Sequence, residues 1–100
     1  MPRSPKPDLV AIAWYSRDNF YRIRQFEPDG GGLQETFEER LEGAQKAILE
    51  IAATGLRIER VDIDPDALLA FCRAGKIKCD EQARARFAHA VISARHATKQ

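Results

Sequence analysis

Three aspartates at alternate positions, Asp62, Asp64 and Asp66, form a pattern that begins like a calcium-binding loop. In such a loop the alternating carboxylates converge on one ion. The remainder of the loop is missing here, because Pro65 stands where a flexible residue is needed and Arg73 where an acidic residue with two ligand oxygens is needed. A helix cap, with negative charge at the positive end of that helix, explains the aspartates more simply. We therefore expect no metal site.

Two cysteines and two histidines in the second half of the chain could bind zinc or form a nucleophile and a base. Cys72 and Cys79 are separated by six residues, as are His89 and His96, and both spacings are wider than those of common zinc sites. No spacing brings a thiol to an imidazole, so the sequence names no catalytic residue and no cofactor. Cys72 falls on an apolar helix face and should be buried, whereas Cys79 lies in a polar connector and should be more exposed.

A small-ligand site is predicted where the first strand runs into the following helix. In folds that combine strands with helices, this junction presents backbone N–H groups to anions. The candidate ligand-binding residues are Trp14, Tyr15, Ser16, Arg17, Tyr21 and Arg60. The competing explanation is that Trp14 packs in the core, and no glycine-rich phosphate loop accompanies the junction.

The two C-terminal helices invite comparison with a helix-turn-helix, in which Arg84, Arg86 and Arg95 would contact phosphates. Two features make nucleic acid an improbable partner. The connector is longer than the usual turn of three to four residues. Asp80 and Glu81 also place negative charge at the helix end that would enter the groove.

The composition indicates one globular domain. The chain has 100 residues, of which 44% are hydrophobic and 31% charged, and its net charge of +1 disfavours a purely electrostatic partner. No apolar run is long enough for a membrane helix, and the first residues lack the apolar segment of a secretory signal. We expect a cytoplasmic protein that does not engage a membrane, with an extended tail at residues 1–8, a single domain at 9–97 and a frayed end at 98–100.

Strand and helix signals alternate along the domain. An apolar strand is expected at residues 9–15, followed by a helix that Ser16 caps and then by a flexible loop at residues 27–32. Thr36 and Glu39 match the capping box, which starts a long helix at Phe37, and Gly55 ends that helix.

The second half of the domain repeats the strand and helix signals. The second strand is expected at residues 58–63, where Ile58 and Val61 differ in parity, so either a bulge or burial on both faces is required. Asp64 and Pro65 start a helix that stops at Gly75. Asp80 then caps the last helix. Its apolar face is predicted to comprise Ala83, Phe87, Ala90, Val91 and Ala94.

The predicted fold is therefore α/β or α+β, in the order β-α-α-β-α-α, with a small two-stranded sheet covered by four helices. A two-stranded sheet is marginal on its own, and an all-apolar strand leaves an edge that invites pairing. A homodimer that extends the sheet would satisfy both constraints.

This order, together with four short motifs, resembles a group of small bacterial proteins of about 100 residues that carry no established activity. The motifs are Ala13-Trp14-Tyr15, Thr36-Phe37-Glu38-Glu39, Val61-Asp62-Ile63-Asp64 and Phe71-Cys72-Arg73. The resemblance implies the fold and a bacterial cytoplasmic setting, and it transfers no site residue.

A non-enzymatic interaction module that acts through self-association or through a protein partner is the leading functional hypothesis. A ligand-binding protein or enzyme that uses the Trp14 to Arg17 junction is the first alternative. A nucleic-acid-binding protein that uses the basic C-terminal helix is the second.

The capping box gives a direct test of the long helix. Replacement of Thr36 by Ala is expected to lower the free energy of unfolding by about 1 kcal/mol, because the side chain that accepts from the first helical turn is lost. Denaturant unfolding should show a lower midpoint at unchanged slope. An unchanged midpoint would mean that the helix starts elsewhere.

Overall fold

The computed structural model describes residues 9–97 and confirms the predicted order of elements. The elements are β1 (Leu9–Trp14), α1 (Arg17–Arg24), a 3₁₀ turn (Gly30–Gly32), α2 (Phe37–Ala52), β2 (Arg57–Asp62), α3 (Pro65–Gly75) and α4 (Glu81–Ala97). The two strands form a parallel sheet, and the fold belongs to the α+β class. The tails predicted at residues 1–8 and 98–100 lie outside the described residues.

The strands pair without interruption, so the parity conflict in β2 is resolved by burial on both faces rather than by a bulge. Leu9 lies opposite Arg57 and Trp14 opposite Asp62, with no residue skipped between them. Val61 is fully buried in the main core, whereas Ile58 is half-buried on the other face. Each strand is six residues long, and β2 begins and ends one residue earlier than predicted.

Helices lie against both faces of the sheet. Glu59 of β2 bonds to Arg95 and His96 of α4, which places α4 on the face that carries Ala11 and Ala13. On the opposite face, Trp14 borders a narrow cavity together with residues of α2. The largest fully buried side chains are Phe20, Ile23, Val61, Ile63, Pro65, Leu68 and Cys72.

The predicted helix starts are confirmed by their side-chain caps. Ser16 accepts from the Asn19 N–H at 3.2 Å, and the Asp64 carboxylate accepts from the Ala67 N–H at 2.8 Å. At α2 both halves of the capping box are present. Asp80 caps α4 through the Ala83 N–H at 3.0 Å. These caps satisfy backbone donors that a helix cannot satisfy internally.

The predicted apolar face of α4 is confirmed at Ala83, Phe87 and Val91, which pack in or against the core, and is wrong at Ala90 and Ala94. The buried residues of α4 are Ala83, Arg84, Ala88 and Ile92, while Phe87 and Val91 are half-buried and Ala90 and Ala94 are exposed. The helix is rich in alanine, so side-chain size does not define one face. The buried position of Arg84 runs against the rule that charged residues lie outside.

The prediction that Cys79 is exposed is also wrong. Cys72 is buried as expected, but Cys79 is only 3% exposed. The connector between α3 and α4 packs against the 3₁₀ turn, and the Cys79 N–H donates to the Glu27 carboxylate at 2.9 Å. Burial and a hydrogen bond with Cys79 raise the pKa of Cys72 to about 12, so its thiol stays protonated and unreactive.

The loop at residues 27–32 is built by close packing rather than as a plain flexible segment. All three glycines of the turn have positive φ, and a Cβ on Gly31 would lie 2.5 Å from the carbonyl oxygen of Cys79. No side chain other than hydrogen fits at that position.

Helix α3 ends at Gly75 as predicted, yet the left-handed residue is the next one. Lys76 has φ +56°, whereas glycine usually occupies such a position because it has no Cβ. Replacement of Lys76 by Gly should raise the free energy of unfolding by about 0.5–1 kcal/mol, measured as a higher denaturant midpoint. Lys78→Gly is the matched control. Among the described residues Lys76 is the sole non-glycine residue with positive φ, so Lys78 does not have this conformation and its replacement by Gly should not stabilise the protein. A higher midpoint for both variants would contradict a conformational cause.

Candidate functional site

The structure separates the residues predicted to form a ligand site at the strand–helix junction. Trp14 is half-buried on one face of the sheet, and the Arg60 guanidinium lies over its ring at 4.1 Å. Tyr15 is the next residue and points into the core, where it is 6% exposed. Consecutive strand residues face opposite sides, so these aromatic groups do not converge.

The other three predicted ligand residues, Ser16, Arg17 and Tyr21, stabilise α1 and its contact with α2. Ser16 caps this helix, as described above. Arg17 pairs with Glu38 of α2 at 2.5 Å, and its guanidinium lies 5.0 Å from the centre of the Phe37 ring. The Tyr21 hydroxyl accepts from the Phe37 N–H at 3.0 Å. These contacts give the predicted ligand residues structural roles between α1 and α2.

The three arginines predicted to contact phosphate also differ in their surroundings. Arg84 is 5% exposed, so it does not lie on an open face of the helix. Arg95 pairs with Glu59 at 2.7 Å and donates to the carbonyl oxygen of Arg60 at 3.2 Å. Arg86 is exposed and forms no ion pair within residues 9–97. A row of phosphate-binding cations is absent from this part of α4.

Arg84 joins two segments that are far apart in the chain. Its Nη1 donates to the carbonyl oxygen of Gly31 at 2.7 Å and lies 3.4 Å from that of Cys79. Within residues 9–97, no carboxylate forms an ion pair with it. A buried cation held only by neutral acceptors is costly, because the charge has lost water without gaining a counter-charge. No local pattern in the sequence indicates this role, apart from three glycines whose carbonyl groups can accept hydrogen bonds.

A groove runs beside Arg84 along the strand edge that β2 leaves open. It has a volume of about 240 Å³. We call it the edge groove; it is lined by Ala11, Ile12, Ala13 and Tyr15 of the first strand segment, by Gly32, Leu33, Gln34 and Arg40, and by Glu81, Arg84, Ala85 and Ala88 of α4. Its walls are therefore mostly small or apolar, with charged groups at one end.

Backbone polar groups of β1 face the edge groove. The Trp14 carbonyl accepts from the Ile63 N–H, so Trp14, like other even-numbered residues, turns its backbone groups toward β2. Odd-numbered residues turn theirs away. The Ala13 carbonyl accepts from Arg40 Nη2 at 2.7 Å. For Ala11, no hydrogen bond on this side is formed with any residue of 9–97.

Two guanidinium groups, those of Arg40 and Arg84, lie near the Tyr15 phenol in the groove. Arg40 lies 5.1 Å from the ring centre, and Arg84 is close enough to the hydroxyl to act on its pKa. Burial raises the pKa of Tyr15 above its ordinary value, although the positive charges of both arginines act in the opposite direction. Tyr15 therefore remains a neutral hydroxyl at physiological pH.

A larger cleft of about 480 Å³ lies on the other side of the 3₁₀ turn and is bordered by acidic residues. Three of its carboxylates already accept backbone N–H groups: Glu27 from Cys79, Asp29 from Gly31 at 2.9 Å, and Asp80 from Ala83. Within residues 9–97, no three His, Cys, Asp or Glu side chains are grouped so that they could hold a metal ion. The acidic side chains of this cleft thus shape the loops, and the edge groove is the stronger candidate site.

Comparisons with known proteins add no family assignment. No family model matches the chain, and neither the curated proteins nor the solved structures give a significant match. None of the helices in residues 9–97 has the length and apolar character needed to cross a bilayer.

The structural role of Arg84 can be measured by its replacement with Gln. The variant should lose about 2–4 kcal/mol of unfolding free energy, because buried carbonyl groups left without a donor cost roughly 1–3 kcal/mol each. Chemical denaturation followed by circular dichroism gives the value. Arg86→Gln, on the exposed side of the same helix, should change stability by less than about 0.5 kcal/mol. Equal stability of the two variants would show that the Arg84 contacts do not hold the fold together.

Proposed function

We propose that this protein is a cytoplasmic, non-enzymatic interaction module that forms a homodimer through the open edge of β1. The proposal is carried by the backbone groups of Ala11, which face the edge groove without a partner within residues 9–97. Unpaired strand groups of this kind pair readily with a strand of another chain.

The sequence of β1 supports the same surface. Residues 9–14 read Leu-Val-Ala-Ile-Ala-Trp and contain none of the lysines, prolines or charges that normally protect an edge strand. Within residues 9–97 the sheet has only two strands, which is near the lower limit of stability. A second copy of β1 would extend the sheet to four strands around a twofold axis, since a symmetric contact needs only one self-complementary surface.

Arg40 restricts the pairing register. Its side chain donates a hydrogen bond to the carbonyl oxygen of Ala13. The strand positions that remain available to a partner therefore lie toward the beginning of β1, around Ala11. A partner strand would therefore overlap the first half of β1 and leave the Tyr15 end of the groove accessible.

The alternatives receive less support. A ligand-binding protein or enzyme at the Trp14 to Arg17 junction is disfavoured, because those side chains lie on different faces and already have structural partners. Nucleic-acid binding through α4 is disfavoured by the burial of Arg84 and by the pairing of Arg95 with Glu59. Self-association remains the function that the geometry favours.

Light scattering after gel filtration should give twice the chain mass of 11.3 kDa at micromolar concentration. Ala11→Pro should give the monomer mass, because the proline removes an outward N–H while the bonds to β2 stay intact. Ile12→Pro is the matched control: it removes an N–H that faces β2 and should unfold the protein, as seen by circular dichroism. A wild-type mass near 11.3 kDa would end the dimer proposal.

A further inference from the structure

The charge of Arg84 is not explained by the fold or by the proposed dimer. The side chain is 5% exposed and bonds to neutral carbonyl oxygens, without an ion pair inside residues 9–97. A neutral donor could satisfy the same carbonyls without the cost of burying a charge. An anionic group bound beside Arg84 would supply the missing negative charge and offset the free-energy cost of burying the guanidinium.

The second cation of the groove lies close by. Arg40 lies against the same Tyr15 ring as Arg84, and within residues 9–97 no carboxylate pairs with it. Its hydrogen bond to Ala13 uses one of the five N–H donors of a guanidinium. Two arginines and a tyrosine hydroxyl thus converge on one end of a preformed groove.

We propose that the Tyr15 end of the edge groove binds the carboxylate of a small organic monoanion. Arg40 and Arg84 supply the positive charge and the Tyr15 hydroxyl supplies a further donor. The body of the ligand lies along Ala85 and Ala88 of α4. Arginine suits this role because its planar fork matches the two oxygens of a carboxylate.

The rest of the groove defines the ligand class. Ala85, Ala88 and Leu33 offer an apolar surface to the part of the ligand that carries no charge. The volume of about 240 Å³ lies below the range of drug-sized sites, roughly 300–1,000 Å³, so the ligand is small. Glu81 lines the rim, and its negative charge disfavours a second anionic group such as that of a dicarboxylate or a phosphate.

This inference goes beyond the proposed dimer and does not depend on it. The partner strand is proposed to pair near Ala11, whereas the carboxylate binds beyond Ala13. Light scattering reports the oligomeric state of the same sample, so a monomer that binds the anion and a dimer that does not are separate and recognisable outcomes.

Titration of the ¹⁵N-labelled protein with isovalerate tests the proposal, with neutral isovaleramide as the matched ligand. Isovalerate should shift the amide signals of Ala13, Tyr15 and Ala88 in a saturable manner at concentrations up to about 10 mM. Isovaleramide has the same shape without the charge and should shift them little. Equal shifts by both ligands, or none by isovalerate, would overturn the proposal.

Substitutions test how much each charged side chain of the groove contributes to isovalerate binding. Arg40→Gln should weaken isovalerate binding by about tenfold, because one charged donor is lost, and Arg40→Lys should weaken it less. Glu81→Gln should tighten it about twofold by removing a repulsive charge. Arg86→Gln lies outside the groove and should leave it unchanged. Unaltered affinity in Arg40→Gln would overturn the site, and tighter binding of inorganic phosphate than of isovalerate would overturn the ligand class.

Discussion

The buried guanidinium of Arg84 is the contact on which the arrangement of the loops depends. It holds the carbonyl oxygens of Gly31 and Cys79, and thereby fixes the 3₁₀ turn against the connector between α3 and α4. The Glu27 carboxylate reinforces the same junction from the other side by accepting the Cys79 N–H. Without these contacts, the backbone groups of two loops would be buried without partners, which proteins avoid. The edge groove and the acidic cleft lie on the two sides of this junction, so one side chain determines the shape of both.

The three glycines of the 3₁₀ turn provide the acceptor side of the contact with Arg84, through the carbonyl oxygen of Gly31. Gly31 approaches the Cys79 carbonyl more closely than any Cβ would allow, and its positive φ turns its own carbonyl toward Arg84. Glycine alone permits the close approach, and the guanidinium of Arg84 donates to both carbonyl groups. A loop that its composition marks as flexible is in this way packed into the protein.

Local signals in the sequence predict the order of helices and strands well. The features that they do not predict, the roles of Arg84 and Cys79, depend on long-range contacts. Thr36 with Glu39, and Asp64 with Pro65, act within one helical turn, so their spacing alone defines the helix starts. The role of Arg84 depends on a residue 53 positions away, and no local pattern encodes it. Cys79 was misjudged for the same reason, because its polar neighbours in sequence are not its neighbours in space. The predicted ligand residues include Tyr15, but the contacts that Arg40 and Arg84 make near Tyr15 come from α2 and α4, and no local spacing connects those helices to the end of β1.

The two edges of the sheet differ in a way that decides which one can serve an interaction. Beyond β2, Arg95 donates to the Arg60 carbonyl, and four of the six residues of that strand are charged. Such an edge resists pairing, because a partner strand would displace the arginine and desolvate the charges. Beyond β1, and within residues 9–97, Arg40 plays the corresponding part at Ala13 only, and the strand itself carries no charge. In the described part of the chain, the edge of β2 thus combines a covering arginine with a charged strand, whereas the edge of β1 has a covering arginine alone. This difference between the edges favours the β1 side for both proposed interactions, in which a partner strand pairs near Ala11 and a small anion binds beyond Ala13.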